Sequence, residues 1–182
     1  MLGKIKLLLV WSGICWLLYF LIPVFKIPVF GVIPRTMTGL GGILMAPFLH
    51  GSLNHLIQNS IFFMIFGGIF YLFEQRGLGI LSAKIVLLGG LFTWVIGTSG
   101  QHIGASGLIF GLWSYLLFRG WFQFNLRNLI CSTLMMVLYG SMIYGIFPVR
   151  GFISWEMHLG GFLAGIWYAR EASFVRSSKS NH

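Results

Sequence analysis

The chain has 182 residues, of which 57% are hydrophobic and only 8% are charged, and its mean hydropathy is +0.88. This composition lies far from that of soluble domains and indicates an all-α integral membrane protein. About six helices of ~20 residues fit this length, so we expect one transmembrane domain over residues 1–182. The net charge of +9 comes from single basic residues beside apolar runs. That pattern excludes a nucleic-acid-binding stripe and is typical of anchors to the lipid bilayer.

Apolar length, together with Pro, Gly and charge punctuation, predicts six membrane spans. The predicted spans cover residues 7–25, 50–73, 78–98, 104–120, 129–147 and 153–170. The first span follows Lys4 and Lys6 like a signal peptide, but it is long for one and no A-x-A site follows, so we expect a retained helix. Cys15 and Cys131 both lie inside apolar runs, which argues against a disulfide framework.

The positions of Lys and Arg predict the orientation in the membrane, because these residues collect on the cytoplasmic side. With the N-terminus inside, nine basic residues are cytoplasmic: Lys4, Lys6, Arg76, Lys84, Arg119, Arg127, Arg170, Arg176 and Lys179. Three are then outside: Lys26, Arg35 and Arg150. The count predicts that both termini are cytoplasmic. It also places the N-terminal ends of the second, fourth and sixth spans near the outer surface.

Those three ends carry polar residues that a membrane helix rarely holds. The second span opens with "HGSLNHLIQN", which supplies His50, His55 and Asn59. The fourth opens near Ser106, and the sixth, "SWEMHLGGFLAG", carries His158 about one turn in. Ionisable groups inside a bilayer are unfavourable and usually face the bundle interior, where they are functional. Because the three segments deliver these groups to one depth, we expect a single site.

Ser106 has the surroundings of a nucleophile. The backbone N–H groups at the start of a helix lack intrahelical partners and could stabilise an oxyanion. Gly104 and Gly107 remove side chains that would block a close approach, and Gly107 begins a G-x-x-x-G face. In the sixth span His158 lies on the same stripe as a second G-x-x-x-G that begins at Gly161. If the two stripes pack together, His158 reaches Ser106 and serves as its general base.

A carboxylate behind the histidine is not expected, because the chain has no aspartate and only three glutamates. Glu74 and Glu171 fall at cytoplasmic ends, and Glu156 lies on a different helix face from His158. We therefore expect a Ser–His dyad that needs neither a metal nor a cofactor. His55 and Asn59 share one face of the second span and could donate to the oxyanion, whereas His50 is expected to hold the beginning of that segment in place.

The motifs around these residues resemble those of one family. "GASGLIFG" is similar to the G-x-S-G-x-x-x-G of rhomboid intramembrane serine proteases, "HLGGFLAG" to their H-x-x-G-x-x-x-G, and "HGSLNHLIQN" to their H-x-x-x-x-H-x-x-x-N. All three occur in the family's order, within residues 46–170.

The resemblance implies a six-helix bundle with a water-accessible cavity open to the outer side, in a bacterial inner membrane. It implies that transmembrane or membrane-adjacent segments of other proteins are the substrates. In this resemblance Ser106 is the nucleophile and His158 the base. The resemblance also implies that His55, Asn59 and Ser106 line the oxyanion hole.

The sequence also departs from the family. The predicted first outer loop, residues 27–46, lacks the Trp-Arg pair of many rhomboids. Arg35 is its only charged residue. Phe110 stands where a tyrosine often packs on the catalytic histidine, so the ring is kept and the hydroxyl is lost. Glu74 comes about one turn later than in the better-known bacterial members. These differences affect loop structure and substrate choice and leave the dyad in place.

Structural interpretations compete with the catalytic one. A G-x-S-G in a membrane helix is often only a packing motif, and His158 could be a structural residue or a proton relay. His50, His55 and Asn59 could form only a polar network that closes the bundle. His102 could assist the active site, but a loop histidine at the membrane interface is more often solvated, and that is the expectation here.

Other functional classes fit the sequence less well. A soluble α/β-hydrolase needs G-x-S-x-G and an acid partner, and an intramembrane metalloprotease needs H-E-x-x-H, neither of which is present. A metal or proton transporter based on His50, His55 and His158 stays open. So does a catalytically inactive rhomboid-like protein that binds membrane clients.

Overall fold

The computed structural model describes residues 2–74, 77–148 and 154–180, and within them the chain is helical. The seven α-helices are α1 Leu2–Phe25, α2 Met37–Met45, α3 Leu53–Phe73, α4 Leu78–Ile96, α5 Ser106–Phe122, α6 Leu126–Tyr139 and α7 Trp155–Ser180. Two 3₁₀ turns, Ala46–Phe48 and Gly140–Ile146, follow α2 and α6. In these ranges the only strand-like pairing is an isolated antiparallel bridge between Val32 and His102. Arg76 and Arg150, used above to predict orientation, lie outside the described residues.

The all-α prediction is confirmed for the described residues, and each predicted span overlaps one of these α-helices. Four segments are long and apolar enough to cross a membrane: Ile5–Phe25, Leu53–Phe73, Leu78–Ile96 and Leu126–Ile146. The last of these combines α6 with the 3₁₀ turn after it. The chain is therefore an integral membrane protein with at least these four candidate spans.

Helix α5 forms the centre of the bundle. Twelve of its seventeen residues are buried, and Leu112, Trp113 and Leu116 are at most 1% exposed. Helices α3, α4, α6 and α7 pack around it. At 1.5 Å per residue α5 is about 25 Å long, somewhat less than the ~30 Å hydrocarbon core. Because protein surrounds it, the residues that begin α5 are held in place from several sides.

The segment between α1 and α3, which the sequence predicts to lie outside, contains a helix, α2, that the sequence pattern did not predict. Thr36 caps α2 by accepting a hydrogen bond from Gly39 N at 3.0 Å. Arg35 Nη1 donates to the carbonyl oxygens of Val95 at 3.0 Å and Gly97 at 2.9 Å, which fixes the loop against the end of α4. In this chain a lone arginine thus anchors the loop that lacks the Trp-Arg pair.

A buried ionic cluster joins the C-terminal ends of α3 and α5 to the N-terminal end of α6. Arg119 is 2% exposed, and its Nη1 lies 2.5 Å from Glu74 Oε1. Its Nε donates to Asn128 Oδ1 at 2.6 Å. A buried charge is tolerated when it is paired and hydrogen-bonded in this way. The cluster fixes the far end of α5, away from Ser106.

Candidate active site

Ser106 is the first residue of α5, as its motif predicts. The backbone bond from Ile109 N to Ala105 O, 2.9 Å, begins the helical ladder, so the N–H groups of the three residues before Ile109 have no intrahelical acceptor. Helices α2, α3 and α6 are capped by side chains, but α5 has no capping side chain in the described structure. The positive end of this helix is therefore open to a ligand.

Gly104 brings the loop before Ser106 close to α3. Its φ of +111° is one that glycine adopts readily and other residues rarely do. A Cβ at this position would lie 2.5 Å from His55 Cε1 and Nε2 and 3.2 Å from Asn59 Nδ2. The loop is also held by Gly104 N, which donates to Ala46 O at 2.8 Å. Close backbone approach at Gly104 thus places His55 and Asn59 beside the start of α5.

Asn59 of α3 and His50, just before that helix, have buried side-chain nitrogens without hydrogen-bond partners among the described residues. Asn59 is 5% exposed, and its Nδ2 has no hydrogen-bond partner among the described residues. Both ring nitrogens of His50 are likewise buried and unpartnered there, and its ring lies edge-on to that of His55 at 5.1 Å. A buried donor without an acceptor destabilises the protein by about 1–3 kcal/mol. Asn59 Nδ2 is consequently free to donate to a bound group.

His158, at the end of the first turn of α7, is oriented by two contacts. Its Nδ1 lies 2.9 Å from the Gly145 carbonyl oxygen. Because a carbonyl can only accept, Nδ1 carries the hydrogen and the neutral ring keeps its lone pair on Nε2. The ring also stacks on Phe110, with centroids 4.2 Å apart and planes 8° from parallel. A backbone carbonyl and an aromatic face therefore orient this imidazole.

Helices α5 and α7 touch through their backbones. A Cβ on Gly161 would lie 1.8 Å from Gly107 O, and one on Gly107 would lie 2.7 Å from Met157 Cγ. The two helices can lie this close only because both positions are glycine and carry no Cβ. The pairing of the two G-x-x-x-G stripes that the sequence predicts is thus present. It brings the start of α5 and the start of α7 to the same end of the bundle.

A cavity of about 740 Å³ lies at that end. It is lined by four of the predicted site residues, His55, Asn59, Ser106 and His158, together with Phe110. His50 lines a neighbouring cavity of about 560 Å³. The hydrogen bonds of the described residues do not include one between Ser106 and His158. Catalytic hydrogen bonds are often long without substrate and shorten in the complex.

The prediction of a solvated His102 is wrong. The residue is 7% exposed, and its backbone pairs with that of Val32. Its ring lies between Ser154 Oγ, 2.5 Å from Nδ1, and Thr98 O, 3.0 Å from Nε2. Loop position alone gave no sign of this, because one of the two partners, Ser154, comes from a segment 52 positions away in the chain.

Glu156 also has partners that the sequence did not suggest. It is 1% exposed, and its Oε1 accepts from Thr98 N at 3.0 Å and from Thr98 Oγ1 at 2.7 Å. Its carboxylate is thus engaged by Thr98, whereas His158 Nδ1 is engaged by Gly145. This arrangement agrees with the expectation that Glu156 and His158 occupy different faces of the helix.

Fold and site together define a helical integral membrane protein with serine, histidine and asparagine side chains around a cavity at one end of the bundle. A family model described as the Rhomboid domain matches residues 37–172, which is three quarters of the chain. The chain belongs to the rhomboid family.

Mycobacterial proteins are among its relatives. Two uncharacterised proteins, one from Mycobacterium tuberculosis and one from Mycobacterium bovis, are each 36% identical to it over 150 residues, which are 78% of this chain and 62% of theirs. An uncharacterised protein of Mycobacterium leprae is 35% identical over 136 residues, 70% of this chain and 54% of its own. The chain thus spans less than two thirds of the length of these relatives.

Proposed function

We propose that this protein is an intramembrane serine endopeptidase that hydrolyses peptide bonds in transmembrane or membrane-adjacent segments of other membrane proteins. The observation that carries the proposal is the state of His158. Its Nδ1–H is taken by the Gly145 carbonyl, so Nε2 is a free base in the cavity that Ser106 also lines. The backbone contact between Gly107 and Gly161 holds the two helices that carry this pair.

The proposed reaction uses Ser106 as nucleophile and His158 as general base. Ser106 Oγ attacks the scissile carbonyl carbon, and its proton passes to His158 Nε2. When the tetrahedral intermediate collapses, the C–N bond breaks and the leaving amine takes that proton. Water then attacks the acyl-enzyme ester, again giving a proton to Nε2, and Ser106 is released with its hydrogen. Neither a metal nor a cofactor takes part in these steps.

The oxyanion is proposed to lie between α3 and the start of α5. The Ser106 N–H precedes the helical ladder, and α5 has no capping side chain in the described structure to occupy it. Asn59 Nδ2 is buried and unpartnered among the described residues, and the His55 ring packs against Gly104. Donors fixed in place before the reaction stabilise developing charge strongly in a site of low dielectric. We therefore assign His55, Asn59 and Ser106 to the oxyanion hole.

For the membrane arrangement we propose six spans with both termini cytoplasmic, in the plasma membrane of a bacterium. In this arrangement α5 and α7 are added to the four apolar spans to make six. The cavity then opens toward the outer side. The excess of Lys and Arg on the proposed cytoplasmic side supports it. Substrate segments would then be cut near the outer boundary of the membrane, at small residues beside helix-breaking ones.

The test is labelling with a fluorophosphonate probe, which forms a bond only with an activated serine. We expect the full chain in detergent or lipid vesicles to be labelled, and Ser106→Ala and His158→Ala to abolish labelling. Ser173→Ala is the matched control, because Ser173 lies on α7 and, among the described residues, its hydroxyl donates to the Arg170 carbonyl one turn earlier in the same helix. It should be labelled like the unmodified chain.

Absence of labelling in a folded, unmodified chain would overturn the proposal. An inactive client-binding rhomboid or a histidine-based transporter would then explain the site better. For a metal transporter, the described part of the chain has no cluster of three or more His, Cys, Asp or Glu side chains placed to hold an ion. Helix content measured by circular dichroism shows that the chain tested is folded.

A further inference from the structure

His102 lies between the two segments that carry the proposed catalytic pair. It precedes Ser106 by one short turn of loop, and its backbone N and O both pair with Val32, at 2.8 and 3.0 Å. Gly31 fits closely against it, because a Cβ there would lie 2.2 Å from His102 O. The backbone of His102 is therefore fixed before its ring makes any contact.

The hydrogen bonds of the ring define its tautomer. Thr98 O can only accept, so Nε2 carries the hydrogen at 3.0 Å. In the neutral ring Nδ1 is then an acceptor, and the Ser154 hydroxyl donates to it at 2.5 Å. The bond to Thr98 is local, whereas the bond to Ser154 joins residues 52 positions apart. It is the second bond that connects the loop before α5 to α7.

Ser154 is directly connected to His158. It precedes α7, and its carbonyl oxygen accepts from His158 N at 3.2 Å. A second link runs parallel to this one, from Glu156 to the backbone N–H and hydroxyl of Thr98. His102 and Ser154 also line the same cavity as Ser106 and His158. A change in the His102–Ser154 bond is thus transmitted through one residue to the backbone of the proposed base.

We propose that His102 is a positioning residue that, through Ser154, holds the start of α7 in register with the start of α5. This inference rests on the proposed function, since it concerns how the Ser106–His158 pair is aligned. His102 itself touches neither reacting atom. An error of about 1 Å between a nucleophile and its base can slow a reaction about 100-fold. Loss of the Ser154 bond should therefore reduce turnover and leave substrate binding unchanged.

Two amide substitutions separate the ring's hydrogen bonds. In His102→Asn the side-chain oxygen occupies the position of Nδ1, so it still accepts from Ser154 and the bond to Thr98 is lost. In His102→Gln the amide nitrogen occupies the position of Nε2, so it still donates to Thr98 and the bond to Ser154 is lost. Both variants keep the Glu156–Thr98 link. We expect kcat for reporter cleavage to fall in the order His, Asn, Gln, with Gln about 10–100-fold below the unmodified chain and KM unchanged.

The order of the two variants is what distinguishes positioning from simple stabilisation. If His102 only supported the fold, Asn and Gln would lower the thermal midpoint and the labelled fraction without this ranking in kcat. Ser154→Ala should lower kcat to the same extent as His102→Gln, and combining the two should add little. A Gln variant as active as the Asn variant, or additive losses in the double variant, would overturn the inference.

A measurement independent of activity tests the bond itself. In protein labelled with ¹⁵N-histidine and embedded in bilayers, the Nδ1 resonance of His102 should shift in Ser154→Ala, because Nδ1 loses its donor. An unchanged resonance would refute the connection. If the resonance shifts in Ser154→Ala but the unmodified chain is not labelled by fluorophosphonate, the protease proposal fails while the His102–Ser154 connection stands.

Discussion

The closest approach of α5 and α7 offers a stringent test of how the site is assembled. Gly161→Ala adds one methyl group whose carbon would lie 1.8 Å from Gly107 O. The obstructing atom is a backbone oxygen in the first turn of α5, so no side-chain rotation relieves the overlap. The two helices must separate near the cavity that Ser106 and His158 both line.

The size of the effect follows from this distance. Carbon and oxygen atoms approach to about 3.3 Å in the closest favourable contacts, so the overlap is about 1.5 Å. Forcing extra methyl groups into a packed interior destabilises proteins by about 1–3 kcal/mol, and more where backbone must move. At about 2–4 °C per kcal/mol for chains of this size, the thermal midpoint should fall by ~2–12 °C.

Gly68→Ala is the matched control. Gly68 lies inside α3, where an added Cβ meets no atom within 4 Å. Alanine is favoured over glycine in helix interiors by about 1 kcal/mol, so this variant should be as stable as the unmodified chain or more so. Thermal unfolding in a mild detergent, followed by circular dichroism, measures the difference between the two alanines.

Fluorophosphonate labelling of the same samples connects packing to the site. Below its midpoint, Gly161→Ala should still be helical but should react far more slowly at Ser106, since helix separation moves the proposed base away. Gly68→Ala should react at the normal rate. If Gly161→Ala matched Gly68→Ala in both midpoint and labelling, the argument that glycine contact between α5 and α7 builds the site would be refuted.

Three further predictions concern the chemistry. Ser106→Ala and His158→Ala should each abolish reporter cleavage and the double variant should lose no more, because the pair acts as one unit; additive losses in kinetic assays would contradict this. Asn59→Ala should slow turnover about 10²–10³-fold while the chain stays folded, since one oxyanion donor is removed, and unchanged turnover would make Asn59 structural. A reporter whose cleavage site lies near the outer boundary should be cut, whereas moving that site about ten residues, or ~15 Å, toward the cytoplasm should abolish cleavage. Efficient cutting at the deep position in a gel assay would exclude an outward-facing site.

The sequence by itself determined the class of protein and the order of its helices. An apolar run of about twenty residues in a chain this hydrophobic is expected to form a membrane helix, because every backbone N–H and C=O group in lipid must be hydrogen-bonded within the protein. The relation between Ser106 and the start of α5, and between His158 and Gly161, could also be predicted. Both depend on the helical repeat, which residues of one segment obey wherever that segment packs.

Tertiary structure decided which groups orient the site. The acceptor for His158 Nδ1 is the backbone carbonyl of Gly145. Since every residue carries a carbonyl, the residue type at position 145 could not predict this hydrogen bond. His102 acquired its partner Ser154 only because two segments far apart in the chain pack together. Helix α2 was missed because it has only nine residues, three of them glycine, and is held by close packing of Gly39 and Gly42 on the backbone of the preceding loop. Periodicity describes one segment at a time, whereas these contacts depend on where separate segments meet.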